Sequence, residues 1–299
     1  MVFSARPVVL CALVALSSVA CAAEPERLGK LADPNINEAS GLARSLVADD
    51  RYWVINDSGN AAVLYAIDRR GQRLGSIIPR GIGNVDWEDL DSFEHDGEAY
   101  LVIADIGDNN GVRAELRVHI VKEPANVPGR GRTAAIDVVR TLRLAYPDGG
   151  RDAESIAVYD NHLYIMTKRT LPPELYRVSL DNAEDGLIEM EFLGKVRSLP
   201  PPTVRELADA PRRDQFGWQP TAMSFSSTGD RAVVVTNWRA FVFSREPDQS
   251  WGDALNGSAT VLPMPPVKRA ESVCFDSPET GLITTFEGRH APVFRLPLP

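Results

Sequence analysis

One pattern recurs along this chain: a polar residue, most often Glu, opens a short strand of alternating apolar residues. A polar turn follows, then a second strand rich in β-branched and aromatic residues. The pattern starts at Glu38 (EASGLARSL, then RYWVIND), Glu88 (EDLDSF, then EAYLVIAD), Glu154 (ESIAVYD, then HLYIMTK), Thr221 (TAMSFSSTGDRAVVVTN) and Glu271 (ESVCFDSPETGLITTF). Copies return roughly every 50 to 67 residues, the period of an architecture built from equal supersecondary units. A unit of that size cannot bury both of its faces alone, so neighbouring copies must pack on one another.

The links within each pair carry turn residues: Asp49-Asp50, His95-Asp96-Gly97, Asp160-Asn161, Thr228-Gly229-Asp230 and Asp276 to Gly281. Each pair therefore reads as a hairpin. A third short strand follows at Leu64 to Ile67, Leu175 to Val178 and Phe241 to Phe243, often with a fourth, more polar one. Helical periodicity is scarce apart from a short turn around Val204 to Ala208. These features predict an all-β fold, a β-propeller of four-stranded antiparallel blades: five blades, or six if an insertion hides one. Proline-rich Glu123 to Arg132 and Leu199 to Trp218 read as inserted loops. Little chain is left after Glu271 for a fourth strand, but Glu26 to Leu31 (ERLGKL) resembles Glu191 to Val196 (EFLGKV), which holds the fourth-strand place of the third copy. An N-terminal strand is thus expected to complete the last blade, close the ring and cover its open edge.

Residues 1–22 read as an export signal, with Arg6 as the positive end, an apolar run from Val8 to Ala20, and small residues at Ala20-Cys21-Ala22. Alternatively, Ser18-Val19-Ala20-Cys21 resembles a bacterial lipobox, which would lipidate Cys21. The apolar run is too short for a permanent span, so a membrane would be reached only through a lipid anchor. The expectation is a periplasmic or secreted protein whose residues 23–299 form one domain. Of three cysteines, Cys274 alone lies well inside that domain, in an apolar strand where it reads as a small buried hydrophobe, and no disulfide framework exists. A net charge of −9 without a basic stripe argues against nucleic acid as a partner.

In a meander, the start of strand one, the end of strand two and the start of strand three share one end. In a propeller those ends converge on one mouth of the central channel. The mouth collects Glu38 with Asn56-Asp57-Ser58; Asp86, Glu88 and Asp89 with Asp105, Asp108 and Asn109; Asp152 and Glu154 with Lys168 and Arg169; Thr221 with Arg239; and Glu271 with Arg289 and His290. Crowded carboxylates repel, and the strain is relieved by protons, by paired bases or by a hard cation taking oxygen ligands, for which calcium is the natural choice outside the cytoplasm. The same Asp and Asn residues can also serve only their own turns, and the Glu residues can cap neighbouring strands. Lys168, Arg169, Arg239, Arg289 and His290 are candidate contacts for a small anionic ligand, or ion-pair partners of the acids. Trp87, Trp218 and Trp238 near the mouth are candidates for stacking or for packing between blades. G-x-S-x-G, H-E-x-x-H and P-loop motifs are absent.

The segments EASGLA with WVINDSG, DWEDL with LVIADIGDN, and Tyr146 to Ile156 followed by Tyr164 to Arg169 resemble a group of exported bacterial propellers. That group is distantly similar to phytase-like and SdiA-regulated β-propellers. The resemblance implies Glu38, Glu88, Asp105, Asp108, Glu154 and Glu271 as calcium ligands beside Asp57, and Lys168 and Arg169 as phosphate contacts; Thr221 departs from the Glu pattern. Two functions follow as expectations. One is a cell-envelope binding propeller with a calcium-occupied acidic mouth that holds a small ligand or protein segment. The alternative is a phytase-like metal-dependent phosphoester or ester hydrolase, with Glu88 or Glu154 as general base.

Overall fold

The computed structural model describes residues 23–181, 186–209 and 216–299. Residues 1–22, read above as an export signal, and with them Cys21, lie outside the described residues. The first strand among the described residues, β1 (Glu26–Lys30), belongs to the last blade. Blade one is β2 (Ala39–Arg44), β3 (Tyr52–Asn56), β4 (Leu64–Ile67) and β5 (Arg73–Pro79). Blade two is β6 (Trp87–His95), β7 (Glu98–Asp105), β8 (Leu116–Lys122) and, after β9 (Thr133–Ile136), β10 (Val138–Ala145). Blade three is β11 (Ala153–Tyr159), β12 (His162–Thr167), β13 (Glu174–Ser179) and, after β14 (Leu187–Glu189), β15 (Glu191–Lys195). Past the short helix α1 (Val204–Asp209), blade four is β16 (Pro220–Phe225), β17 (Arg231–Thr236), β18 (Ala240–Ser244) and, after α2 (Trp251–Ala254), β19 (Ala259–Leu262). Blade five is β20 (Ala270–Phe275), β21 (Gly281–Phe286) and β22 (Pro292–Pro297), completed by β1. The inner strands β2, β6, β11, β16 and β20 each contact the next, and β20 contacts β2, so five blades close the ring.

The N-terminal strand pairs antiparallel with β22, Glu26 opposite Arg295 and Lys30 opposite Pro292. Its register slips between Arg27 and Gly29, and β15 slips at the same place against β13, between Phe192 and Gly194. The likeness of ERLGK to EFLGK is thus a shared bulged outer strand with the same pattern of exposure.

Two blades depart from four strands. β9 runs parallel to β5 as a fifth strand of blade one, and β14 runs parallel to β10 as a fifth strand of blade two. Each inserted segment therefore reaches back to cover the outer edge of the preceding blade, where unpaired main-chain groups would otherwise face solvent.

The apolar core sits between the blades. Trp53, Leu64, Trp87, Leu101 and Ile103 fill the seam between blades one and two. Leu116, Leu142, Ile156 and Ile165 fill that between two and three, and Met166, Phe225, Phe241 and Trp251 that between three and four. Phe225 stacks on Trp251 at 3.8 Å between ring centres. Trp53 and Trp87 are both 0% exposed, a burial worth on the order of 5 kcal/mol each before ordering costs. Trp87 is therefore core and not a stacking platform at the mouth. Cys274 is a buried free thiol, as its apolar strand predicts.

Candidate functional site

Every inner strand carries a bulge at the same height. The register slips between Ala39 and Gly41, Trp87 and Asp89, Ala153 and Ser155, Pro220 and Ala222, and Ala270 and Ser272. The extra residue is Ser40, Glu88, Glu154, Thr221 or Glu271, and these five are structural equivalents around the channel. Glu38 is not one of them, which corrects its place in the repeat. It lies two residues earlier, level with Asp86, Asp152 and Arg269. The carbonyls of those four residues accept main-chain N–H groups of Asp57, Gly107, Lys168 and Glu287 at 2.9, 3.1, 2.9 and 3.1 Å. Alignment on Glu hid this because blade one carries Ser at the bulge and happens to carry Glu at its rim.

The bulges bring the acids together. Glu88 is 3% exposed, and its carboxyl is held well above the usual range by burial and then by the charges of Glu154, Asp57 and Asp86. Glu154 is raised by burial although Lys168 pulls it the other way. Glu271 is pushed up to about 8 by burial, with Lys168 opposing and Glu154 adding to the rise. Lys168, 8% exposed, forms an ion pair with Glu154. Burial works against its charge, but Glu154, Glu271 and Glu88 outweigh that and hold it above its ordinary value. One buried ammonium thus faces Glu88, Glu154 and Glu271, with Asp57 and Asp86 alongside.

Asp57, Asp86 and Glu88 each offer a carboxylate oxygen, and these oxygens lie within 4.8 Å of one another. Asp57 is raised by burial, with Asp86 and Glu38 adding to it; Asp86 is raised by burial and stays near the Ser58 hydroxyl. The loop after β7 lies directly on this group. A Cβ at Gly107 would fall 2.3 Å from Glu88 Oε1 and 2.5 Å from the Asp86 carboxyl carbon, so only glycine lets the main chain approach so closely. Asp86 and Gly107 are thus parts of the cluster that the repeat pattern left out of the ligand set. Three oxygen donors from two blades suit a hard divalent cation.

Other sequence candidates are engaged elsewhere. Asp105 accepts Arg113 Nη2 at 2.9 Å, and Asp108 accepts the Arg113 main-chain N–H at 2.7 Å, so one arginine occupies both loop acids. Glu38 is exposed and accepts Asn60 Nδ2 at 2.6 Å. Arg169 donates to Asp152 at 2.7 Å and to Asn109, and its guanidinium lies 4.6 Å from the Phe216 ring centre. Arg239 donates to Glu206 of α1 at 2.7 Å. Arg289 and His290 are exposed beyond β21, with His290 Nδ1 3.1 Å from the Leu31 carbonyl oxygen. Trp218 and Trp238 are half-buried. No helix among the described residues is long and apolar enough to cross a membrane.

No protein-family model and no curated protein matches the chain. Among solved structures it is similar to a gluconolactonase from Xanthomonas campestris at 13% identity, covering 94% of this chain and 96% of that one, with a TM-score of 0.44. It is also similar to a chain of a nidogen/laminin complex at 14% identity, covering 84% of this chain and 73% of that one, with a TM-score of 0.44. A third likeness is to the WD40 repeats of RRP9 at 13% identity, covering 87% and 67%, with a TM-score of 0.40. The ring of five blades stands on its own strand pairing.

Proposed function

We propose that the protein is an exported β-propeller of the cell envelope that binds a divalent cation, calcium by its donor chemistry, at the acidic mouth of its channel. The bound cation presents an open face to a small anionic ligand or an acidic protein segment. Asp57, Asp86 and Glu88 would hold the ion; Glu154 and Glu271 remain with Lys168. The observation that carries this reading is the convergence of three carboxylate oxygens within 4.8 Å beneath the close-packed Gly107. At an effective dielectric near 20, two like charges about 4 Å apart repel by roughly 4 kcal/mol, which a cation between them relieves. Export rests on the apolar run from Val8 to Ala20 and the small residues after it. Arg289 and His290, exposed in the loop after β21, would meet an incoming anion.

Thermal melting in calcium and in chelator tests this. A cation at about a hundred times its dissociation constant adds roughly 2.7 kcal/mol, a rise of several degrees in Tm. The rise is expected in wild type and absent in Asp86→Asn combined with Glu88→Gln. A wild-type melt indifferent to calcium would overturn the reading. A phosphomonoester and ester screen on the calcium-loaded protein distinguishes the hydrolase alternative: turnover lost in Glu88→Gln would replace the binding function with catalysis.

A further inference from the structure

At the other end of the channel, where the hairpin turns lie, all five blades surround a cavity of about 550 Å³. This falls within the size range of small-molecule pockets, roughly 300 to 1,000 Å³. Its lining includes Asp91 of β6, Ser224 of β16 and Cys274 of β20, from three different blades. Asp91 lies three residues past Glu88 on one strand, about 10 Å along it. Between them, Asp89 is 0% exposed and accepts the main-chain N–H groups of Ile156 and Leu90 at 2.8 Å each. None of Asp57, Asp86, Glu88 and Asp89 lines the cavity, so it is distinct from the acidic mouth.

Asp91 is the chemical centre of this cavity. Its carboxylate accepts two main-chain N–H groups, Val158 at 2.7 Å and Ser92 at 2.8 Å, and forms no ion pair with a Lys, Arg or His among the described residues. Arg44, the guanidinium in the wall, is turned to Glu279 at 3.6 Å and the Asp276 carbonyl at 3.3 Å. Glu94, Asp96 and Asp160 stand at the rim, so the lining is acidic overall. Phe93 and Val158, both half-buried, supply apolar wall beside the acid. Burial holds the Asp91 carboxyl up to about 7, against the pull of its two N–H donors and Arg44, as for an acid that lacks a close counter-ion.

We propose that this cavity is a second ligand site, which takes a small organic ammonium with its charge on the Asp91 carboxylate and its apolar body against Phe93 and Val158. The acidic rim draws the cation in, and the ammonium donates to the carboxylate lone pairs that the two main-chain groups leave free.

Calorimetric titration of the full chain with benzylammonium, and with benzyl alcohol as its neutral counterpart, tests the site in the presence of chelator. Benzylammonium is expected to bind wild type and Glu88→Gln alike, to bind Asp91→Asn at least tenfold more weakly, and to outcompete benzyl alcohol by a similar factor. Phe93→Ala, at a half-buried position, is expected to weaken it severalfold and serves if Asp91→Asn does not fold. Equal binding of the alcohol, undiminished binding by both variants, or no binding to folded wild type would each overturn the proposal.

Discussion

Asp89 on β6 accepts the main-chain N–H of Ile156 on β11 at 2.8 Å, so a side chain of blade two supplies the acceptor that an inner edge of blade three lacks. Asp91 repeats the device one step along, on Val158 at 2.7 Å. Ser40 and Thr221 make comparable links, donating to the carbonyls of Glu88 at 2.6 Å and Ala270 at 2.7 Å. Inner strands of adjacent blades contact one another without forming a sheet, so their facing main-chain groups need side-chain partners. The seams of the ring are therefore held by polar groups near the axis and by apolar packing farther out.

Asp89→Ala removes the acceptor and strands the buried N–H of Ile156. The loss is expected to be about 1–3 kcal/mol, seen as a lower urea midpoint at constant slope. Asp89→Asn keeps an acceptor oxygen and is expected to cost less. Since burial already holds Asp89 well above the usual carboxylate range, a neutral replacement suits the site. Equal midpoints for Asp89→Ala and wild type would remove Asp89 as the link between blades two and three.

Glu271 makes stability depend on pH. Its folded-state value of about 8 lies above the ordinary 4.5, so between those values the folded protein holds a proton that the unfolded chain has released. Stability from this group is therefore full below about 4.5 and falls as pH rises toward 8. In chelator, Tm is expected to decline across that window, and Glu271→Gln should flatten the decline and melt higher than wild type at pH 8. A steeper decline in the variant would contradict this account.

Lys168 and Glu154 should behave as a coupled pair. Lys168→Met leaves buried carboxylates without their ammonium and is expected to cost about 3–5 kcal/mol at pH 8 in chelator, with Glu154→Gln in the same background restoring much of it. Calcium should stabilise Lys168→Met more than wild type, because a competing positive charge has gone. Additive effects of the two substitutions would show that the pair is not the unit that matters.

Much of this architecture was legible in the chain, for identifiable reasons. Strand periodicity and turn residues mark every inner hairpin, because one face of each inner strand must be apolar to pack against the next blade. The fifth strands β9 and β14 carry no such mark: their residues are largely exposed, and their pairing is decided by the edge they happen to cover. The seven-acid ligand set divided for a similar reason. Which carboxylates converge depends on what else engages them, and Arg113, whose guanidinium takes Asp105 and whose main-chain N–H takes Asp108, follows them with no pattern of its own. Asp86 was read at the mouth but not as a ligand, and Asp91 was silent, since their roles arise from the bulge and from the neighbouring blade.

Closure of the ring rests on β1, and its removal is the most direct test of the fold. Deleting residues 23–31 strips β22 of its antiparallel partner from Glu26 to Lys30 and takes Leu31, which is 0% exposed, out of the core. It also breaks the main-chain bonds from Lys30 to the Arg70 carbonyl of blade one at 3.2 Å and from Leu31 to the Ala291 carbonyl of blade five at 2.8 Å. The exposed edge of β22 would become a template for intermolecular pairing. The truncated chain is expected to melt well below wild type and to aggregate on warming, and a synthetic peptide spanning residues 23–33 added in excess should recover part of the loss. A truncated protein that stayed monomeric with an unchanged Tm would mean that β22 needs no partner and that the ring is held by the seams alone.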